Sequence, residues 1–367
     1  MKSRSISAIG ALAALMSVAA VAPVAASSNG HDGTVYTLSN GATGNAVIAY
    51  DRAANGSLSL LGTYPTGGLG SGAGLGSQGA VTLSDNGRFL LAVDPGSDEI
   101  TSFRVRDNGT LAFADRIASG GDHPISVTID GGLVYVVNDG SGGDIAGFRI
   151  DRTGDLSVIA GSIQSLSSAS SAPAEIAFDP EGRTLVVTEK ATNRITSYRV
   201  GRDGRAGAPT WTASAGQTPF GFDFDRRGHL IVSEAAGGAP DASTVSSYRV
   251  TRTGAHVIDG PDATTETAAC WVVVTGNGRF AYVANTGSGT VSGFEIARDG
   301  SLRLLDADGV TGVAGGTPAD LALSAHSDFL YVRTGASVHA FRVAWDGRLI
   351  DLGGTTVQTG IVGLAAD

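Results

Sequence analysis

Apolar positions along this chain fall in short runs separated by turns rich in Gly, Asn and Asp. That spacing predicts strands joined by tight turns. Val291-Ser292-Gly293-Phe294-Glu295-Ile296 reads as a strand entering the turn that ends at Asp299-Gly300, with a second strand from Leu302. Its aromatic stands six residues before its glycine. The same pair recurs as Tyr50/Gly56, Phe103/Gly109, Phe148/Gly154, Tyr198/Gly204, Tyr248/Gly254, Phe294/Gly300 and Phe341/Gly347. Six intervals span 291 residues from Gly56 to Gly347, a period of roughly 48, in the range of propeller blades. The glycine has a physical reason: it supplies the positive φ of an Asp-Gly or Asn-Gly two-residue hairpin turn.

Each repeat also carries a strand–turn–strand first half, clearest in Trp271–Val274, Thr275–Arg279 and Phe280–Asn285. Two hairpins give four antiparallel strands per repeat. The first repeat begins at Gly33–Asn40, which matches only a second strand, and the chain ends in Ile361–Asp367, which matches an innermost strand. The predicted fold is therefore an all-β, seven-bladed β-propeller whose C-terminal strand completes blade one and abolishes the open edge. Split first and last repeats disfavour an open solenoid.

The first 26 residues are predicted to lie outside that fold. Lys2 and Arg4 precede an Ala-rich apolar run ending in Val24-Ala25-Ala26, the pattern of a secretory signal peptide cleaved after Ala26. Residues 27–367 form a single domain on this reading, exported and not held in a membrane. Loss of Lys2 and Arg4 takes the formal charge from −10 to −12, and an acidic surface without basic clusters argues against nucleic acid and anionic lipid. Cys270 is the only cysteine, so no internal disulfide can form, and metal-ligand spacing is absent. Nothing calls for a cofactor. A monomer is expected.

Phe280-Ala281-Tyr282-Val283-Ala284-Asn285-Thr286-Gly287-Ser288-Gly289 resembles the signature of the lactonase family of seven-bladed propellers, which includes bacterial 6-phosphogluconolactonases and fungal carboxymuconate lactonising enzymes. The resemblance covers about residues 33–367 and implies a small lactone as ligand. His123, in Asp122-His123-Pro124, resembles the histidine of the family's His-Pro-His segment, and Glu189 matches the family glutamate after the second strand of blade four. The family's Pro-Arg-His is replaced by Pro173-Ala174-Glu175, and a further family arginine by Thr286. Those arginines are implicated in holding substrate carboxylates or phosphates. Their loss, the acidic mouth and the leader argue against a cytosolic phosphogluconolactonase.

In a four-stranded blade, the end of the second strand and the start of the first share one face. Strand ends at Asp94, Asn138, Glu189, Glu234 and Asn285 are thus expected to converge with strand entries at His123, Glu175 and Cys270 around one mouth. His123, Glu189 and Glu234 are the candidate catalytic set, a histidine and carboxylates for acid–base chemistry that would hydrolyse or isomerise a lactone. Asp94, Asn138, Glu175, Asn285 and Cys270 are candidate substrate contacts. The competing reading is a non-catalytic extracellular propeller, with the asparagines capping strand ends, His123 bridging blades and Cys270 packing beside Trp271. The glycine-rich 71–76 stretch is expected to be a mobile loop, since no helix follows it to cradle a phosphate.

Overall fold

A computed structural model describes residues 32–367; the expected leader, 1–26, lies outside them. Seven antiparallel sheets follow one another along the chain. Blade four is typical, with inner, second, third and outer strands Pro173–Phe178, Thr184–Glu189, Arg194–Val200 and Ala206–Ala213. In blade one the tail Val362–Ala366 is the inner strand beside Thr34–Leu38, with Val35 opposite Ala366 and Leu38 opposite Val362. The tail is also held by Thr37 Oγ1, which donates to Gly363 O at 2.7 Å. The ring closes as the split repeats imply.

The repeated glycine acts twice. All seven have φ between 72° and 110°, where side chains are strained. Its carbonyl also locks neighbouring blades together. Tyr36, Tyr135, Tyr282 and Tyr331, all on second strands, donate to the turn carbonyls of Gly109, Gly204, Gly347 and Gly56 in the next blade, at 2.7–3.0 Å. Ser102 and Ser247 reach Gly154 and Gly300 in the same way, both at 2.6 Å. Space is short as well: a Cβ on Gly56 would stand 2.6 Å from the Phe329 ring.

The turn is longer than the two-residue form expected. Ala297 N–H bonds Ser301 O and Gly300 N–H bonds Ala297 O, a three-residue hairpin in which only the glycine needs positive φ. Blade five keeps the shorter loop, with Thr251 directly opposite Gly254.

Every inner sheet is packed on both faces. The second strands Thr184–Glu189, His229–Glu234 and Phe280–Asn285 are buried at all six positions. Burial therefore does not alternate with period two along them. Among the described residues no helix is long and apolar enough to cross a membrane.

Candidate functional site at the channel mouth

The strand-end residues do not reach the mouth. Asp94, Asn138, Glu189, Glu234 and Asn285 are all 0% exposed, which corrects the expectation that Glu189 and Glu234 face solvent. Asp94, Glu189 and Glu234 turn sideways and join their own third strands to the loop arriving from the blade before, while Asn138 and Asn285 bond only their own third strands. Asp94 accepts from Thr101 Oγ1 at 2.7 Å and from Thr66 Oγ1 at 2.6 Å. Glu189 accepts from Thr196 Oγ1 at 2.6 Å, Thr192 Oγ1 at 2.8 Å, the Ser167 amide at 3.0 Å and the Ser167 hydroxyl.

Glu234 is the most heavily held. The hydroxyls of Ser214, Thr244, Ser246 and Tyr248 and the Gly216 amide all donate to it, at 2.6–3.0 Å. A carboxylate so saturated has no free lone pair for water. In blade six the roles are exchanged: Asn285 donates to Thr290 and Ser292 at 3.0 and 2.9 Å, and the acid comes from the loop, Glu266 accepting from Thr290 at 2.8 Å. Asn138 donates to Asp144 Oδ1 at 2.7 Å.

One residue further along, side chains point the other way, as successive residues of extended chain must. Lys190 follows Glu189, Asp139 follows Asn138 and Thr286 follows Asn285. Lys190 carries the mouth's ammonium. Its Nζ donates to Gly76 O and Pro173 O, each at 2.7 Å, and lies 5.0 Å over the Phe220 ring. Burial pushes its pKa down to about 8, against the pull of Asp139 and the Cys270 thiol. The Asp139 carboxyl is raised by desolvation and drawn back by Lys190 and His123, which ties the three groups electrostatically. Sequence reasoning passed over Lys190; its place immediately after the strand-end glutamate is the signal that could have found it.

His123 sits half-buried on the rim. Its φ of 57° belongs to the repeat, because Ala172, Thr218 and Ala268, the residues before the inner strands of blades four to six, have φ of 47–60°. Its N–H donates to Asp98 Oδ1 at 2.7 Å, as that of Thr218 does to Asn193 Oδ1. Backbone geometry thus fixes the position whatever the side chain does. Cys270 is 7% exposed in the cluster that also holds Phe220 and Trp271, and burial pushes its thiol up to about 11. It is a floor residue, not a thiolate nucleophile.

The throat beneath is closed. Gln78 crosses from blade two to blade six, its Nε2 donating to Val272 O at 2.7 Å and its Oε1 accepting from the Val272 amide at 3.0 Å. Trp271 Nε1 donates to Ser77 O at 2.9 Å. Gly221 makes room for the crossing, since a Cβ there would lie 2.2 Å from Gln78 Oε1. Glu175 therefore lies in the channel below the mouth, accepting the Phe222 amide at 2.7 Å. The glycine-rich stretch is tied down rather than free: Asn40 O accepts from the Gly72 amide, Asn40 Oδ1 from that of Ser71, and Lys190 holds Gly76. No group of three or more His, Cys, Asp or Glu among the described residues is placed to hold a metal ion.

The model of the lactonase seven-bladed β-propeller matches residues 31–169 and 160–257. The chain belongs to the lactonase family. Among solved structures it is similar to a provisionally assigned 6-phosphogluconolactonase of Bacteroides uniformis, with 16% identity, TM-score 0.73, and 92% of this chain and 100% of that one covered. It is similar also to a periplasmic gluconolactonase of Pseudomonas aeruginosa, at 18% identity, TM-score 0.71 and 91% and 98% coverage, and to a Lactobacillus plantarum protein at 18%, 0.74, and 91% and 99%. At such identities these likenesses speak for the fold. No curated protein matches the chain.

Proposed function

We propose that this lactonase-family propeller is an exported hydrolase of a small, unphosphorylated lactone, with its chemistry at the Lys190 mouth. The observation that carries the reading is Lys190 itself: a partly desolvated ammonium over an aromatic ring, whose hydrogen-bond partners are two neutral carbonyls. It supplies, from another position, the cation that the missing family arginines would have given. One ammonium beside Asp139 suits a developing oxyanion or a single carboxylate better than a phosphate dianion. The leader pattern, the acidic charge and the periplasmic gluconolactonase among similar structures agree with a sugar lactone met outside the cytoplasm by a monomer.

In the proposed step, His123, supported by Asp139, takes a proton from water as hydroxide adds to the lactone carbonyl. Lys190 donates hydrogen bonds to the oxyanion. The ring C–O bond then breaks, and the departing alkoxide recovers the proton from His123, leaving a hydroxy acid. Purified residues 27–367 should hydrolyse D-glucono-1,5-lactone above background and prefer it to its 6-phosphate. Lys190→Met should lower that rate about 100-fold, the scale of one lost oxyanion donor. A folded wild type without turnover on any of a panel of lactones would refute the enzyme. The same lysine bonds favour a second reading, a strap that pins the Gly76 loop over a non-catalytic binding mouth.

A further inference from the structure

Below the Gln78 crossing the inner strands enclose a second polar space. An upper part of about 280 Å³ is lined by Glu175, Asp223 and Asp320. A lower part of about 570 Å³ opens among the turns between first and second strands, with Asp85, Asp130 and Asp179 at its rim. Those turns lie on the face opposite the Lys190 mouth. Both parts share Thr82, Leu83, Ala177 and Asp223, so they form one channel.

Asp320 marks what this channel is fitted to hold. It is 1% exposed, and its Oδ1 accepts the Leu321 amide at 2.8 Å. Its Oδ2 is buried without a close hydrogen-bond partner, the Leu364 amide being the backbone donor that faces the carboxyl besides Leu321. A buried carboxylate oxygen only accepts, and leaving it unpaired is costly. Arg333 offsets part of the Asp320 charge, but its Nη2 is directed to Ala319 O, and Glu175 and Asp223 remain. Burial raises all three acids, and at Glu175 repulsion from Asp223 and Asp320 adds to it, the state that a bound cation relieves.

The cation is organic rather than metallic, since the described acids nowhere gather closely enough to ligate a metal ion. Carboxylates stand at two levels, and the wall between them mixes apolar Leu83, Ile129, Ala177 and Phe224 with the hydroxyls of Thr82 and Thr128, Arg226 being the one cation in the lining of the lower part. From Glu175 to Asp179 along one inner strand is about 13 Å at ~3.3 Å per residue. Ammonium groups separated by methylenes match that alternation. We propose that the channel, entered from the face opposite the mouth, binds a linear polyamine, with inner ammonium groups at Asp320 and Asp223 and an outer one at Asp130.

Calorimetric titration of residues 27–367 with spermidine at 150 mM salt tests this. One saturable site per chain is expected, weakened at least tenfold by Asp320→Asn and by the rim change Asp130→Asn, and unaltered by Lys190→Met. 1,8-Octanediol, which has the methylenes without the charges, should not bind. Absence of a saturable site overturns the proposal. So do several weak sites insensitive to both changes, which is general attraction to an acidic surface, and binding of Ca²⁺ or Mg²⁺ in place of spermidine. Should Asp320→Asn fail to fold, Asp130→Asn alone decides, because its carboxylate has no structural bond to lose.

Discussion

Glu189 and Lys190 are adjacent in sequence and belong to different parts of the molecule. Glu189 is sealed between blades with four donors on its two oxygens; Lys190 overhangs the mouth on two neutral carbonyls. The same split separates Asn138 from Asp139 and Asn285 from Thr286. A step of one residue at a strand end moves a side chain from a seam of the ring to its opening. The lesson is that a polar residue at a repeated strand end first serves the repeat.

The comparison is broken most severely from the sealed side. Deleting residues 361–367 removes the inner strand of blade one and exposes the edge of Thr34–Leu38; loss of cooperative unfolding is expected by calorimetry, and an unchanged melting curve would contradict ring closure. Glu234→Ala strands five donors in a buried seam and should cost about 3–5 kcal/mol in urea unfolding, the range for breaking a buried charged network. A cost under 1 kcal/mol would show that the seam is not what holds the blades.

A smaller effect sharpens the comparison through pH. Burial raises Asp223 to about 6 and Asp320 to about 7 from an ordinary 3.8. Between pH 4 and 7 the folded chain therefore keeps protons that the unfolded chain has released. The stabilisation is whole below pH 4 and is lost as pH rises through 6–7. Asp320→Asn should flatten that decline in denaturant titrations, and an unaltered slope would contradict it. Lys190 adds a decline in activity at higher pH: its ammonium is lost as pH rises through about 8, so turnover should fall there. The smallest effect belongs to Cys270, whose thiol, raised to about 11, stays protonated at neutral pH. Cys270→Ser should change turnover less than about threefold, and rapid alkylation at pH 7 would refute its inert role.

The fold was legible because its repeat is enforced locally. A glycine needing positive φ, and a carbonyl that must receive the neighbour's tyrosine, cannot drift from their spacing. The orphan strands at the two termini were legible for the same reason. The site was not. Alternation normally tells which side of a strand faces the solvent, but Thr184–Glu189 is buried throughout, so the pattern cannot say that Glu189 turns inward. A bulge between Pro173 and Glu175 further shifts the register at the mouth. One clue was present: a hydroxyl residue stands seven positions after Asp94, Glu189 and Asn285, at Thr101, Thr196 and Ser292. A fixed spacing from a polar strand-end residue to a hydroxyl is the mark of a structural bond.

The central claim is that chemistry belongs to the ring one residue beyond the strand ends. Its most direct test is lactone turnover per folded molecule, measured side by side for Glu189→Gln and Lys190→Met, with unfolding curves for both. The account predicts that Glu189→Gln lowers stability while the folded fraction keeps turnover within about threefold, and that Lys190→Met keeps stability within about 1 kcal/mol while losing about 100-fold in rate. The reverse pattern, a stable but inactive Glu189→Gln beside an active Lys190→Met, would return the chemistry to the strand-end ring and contradict it.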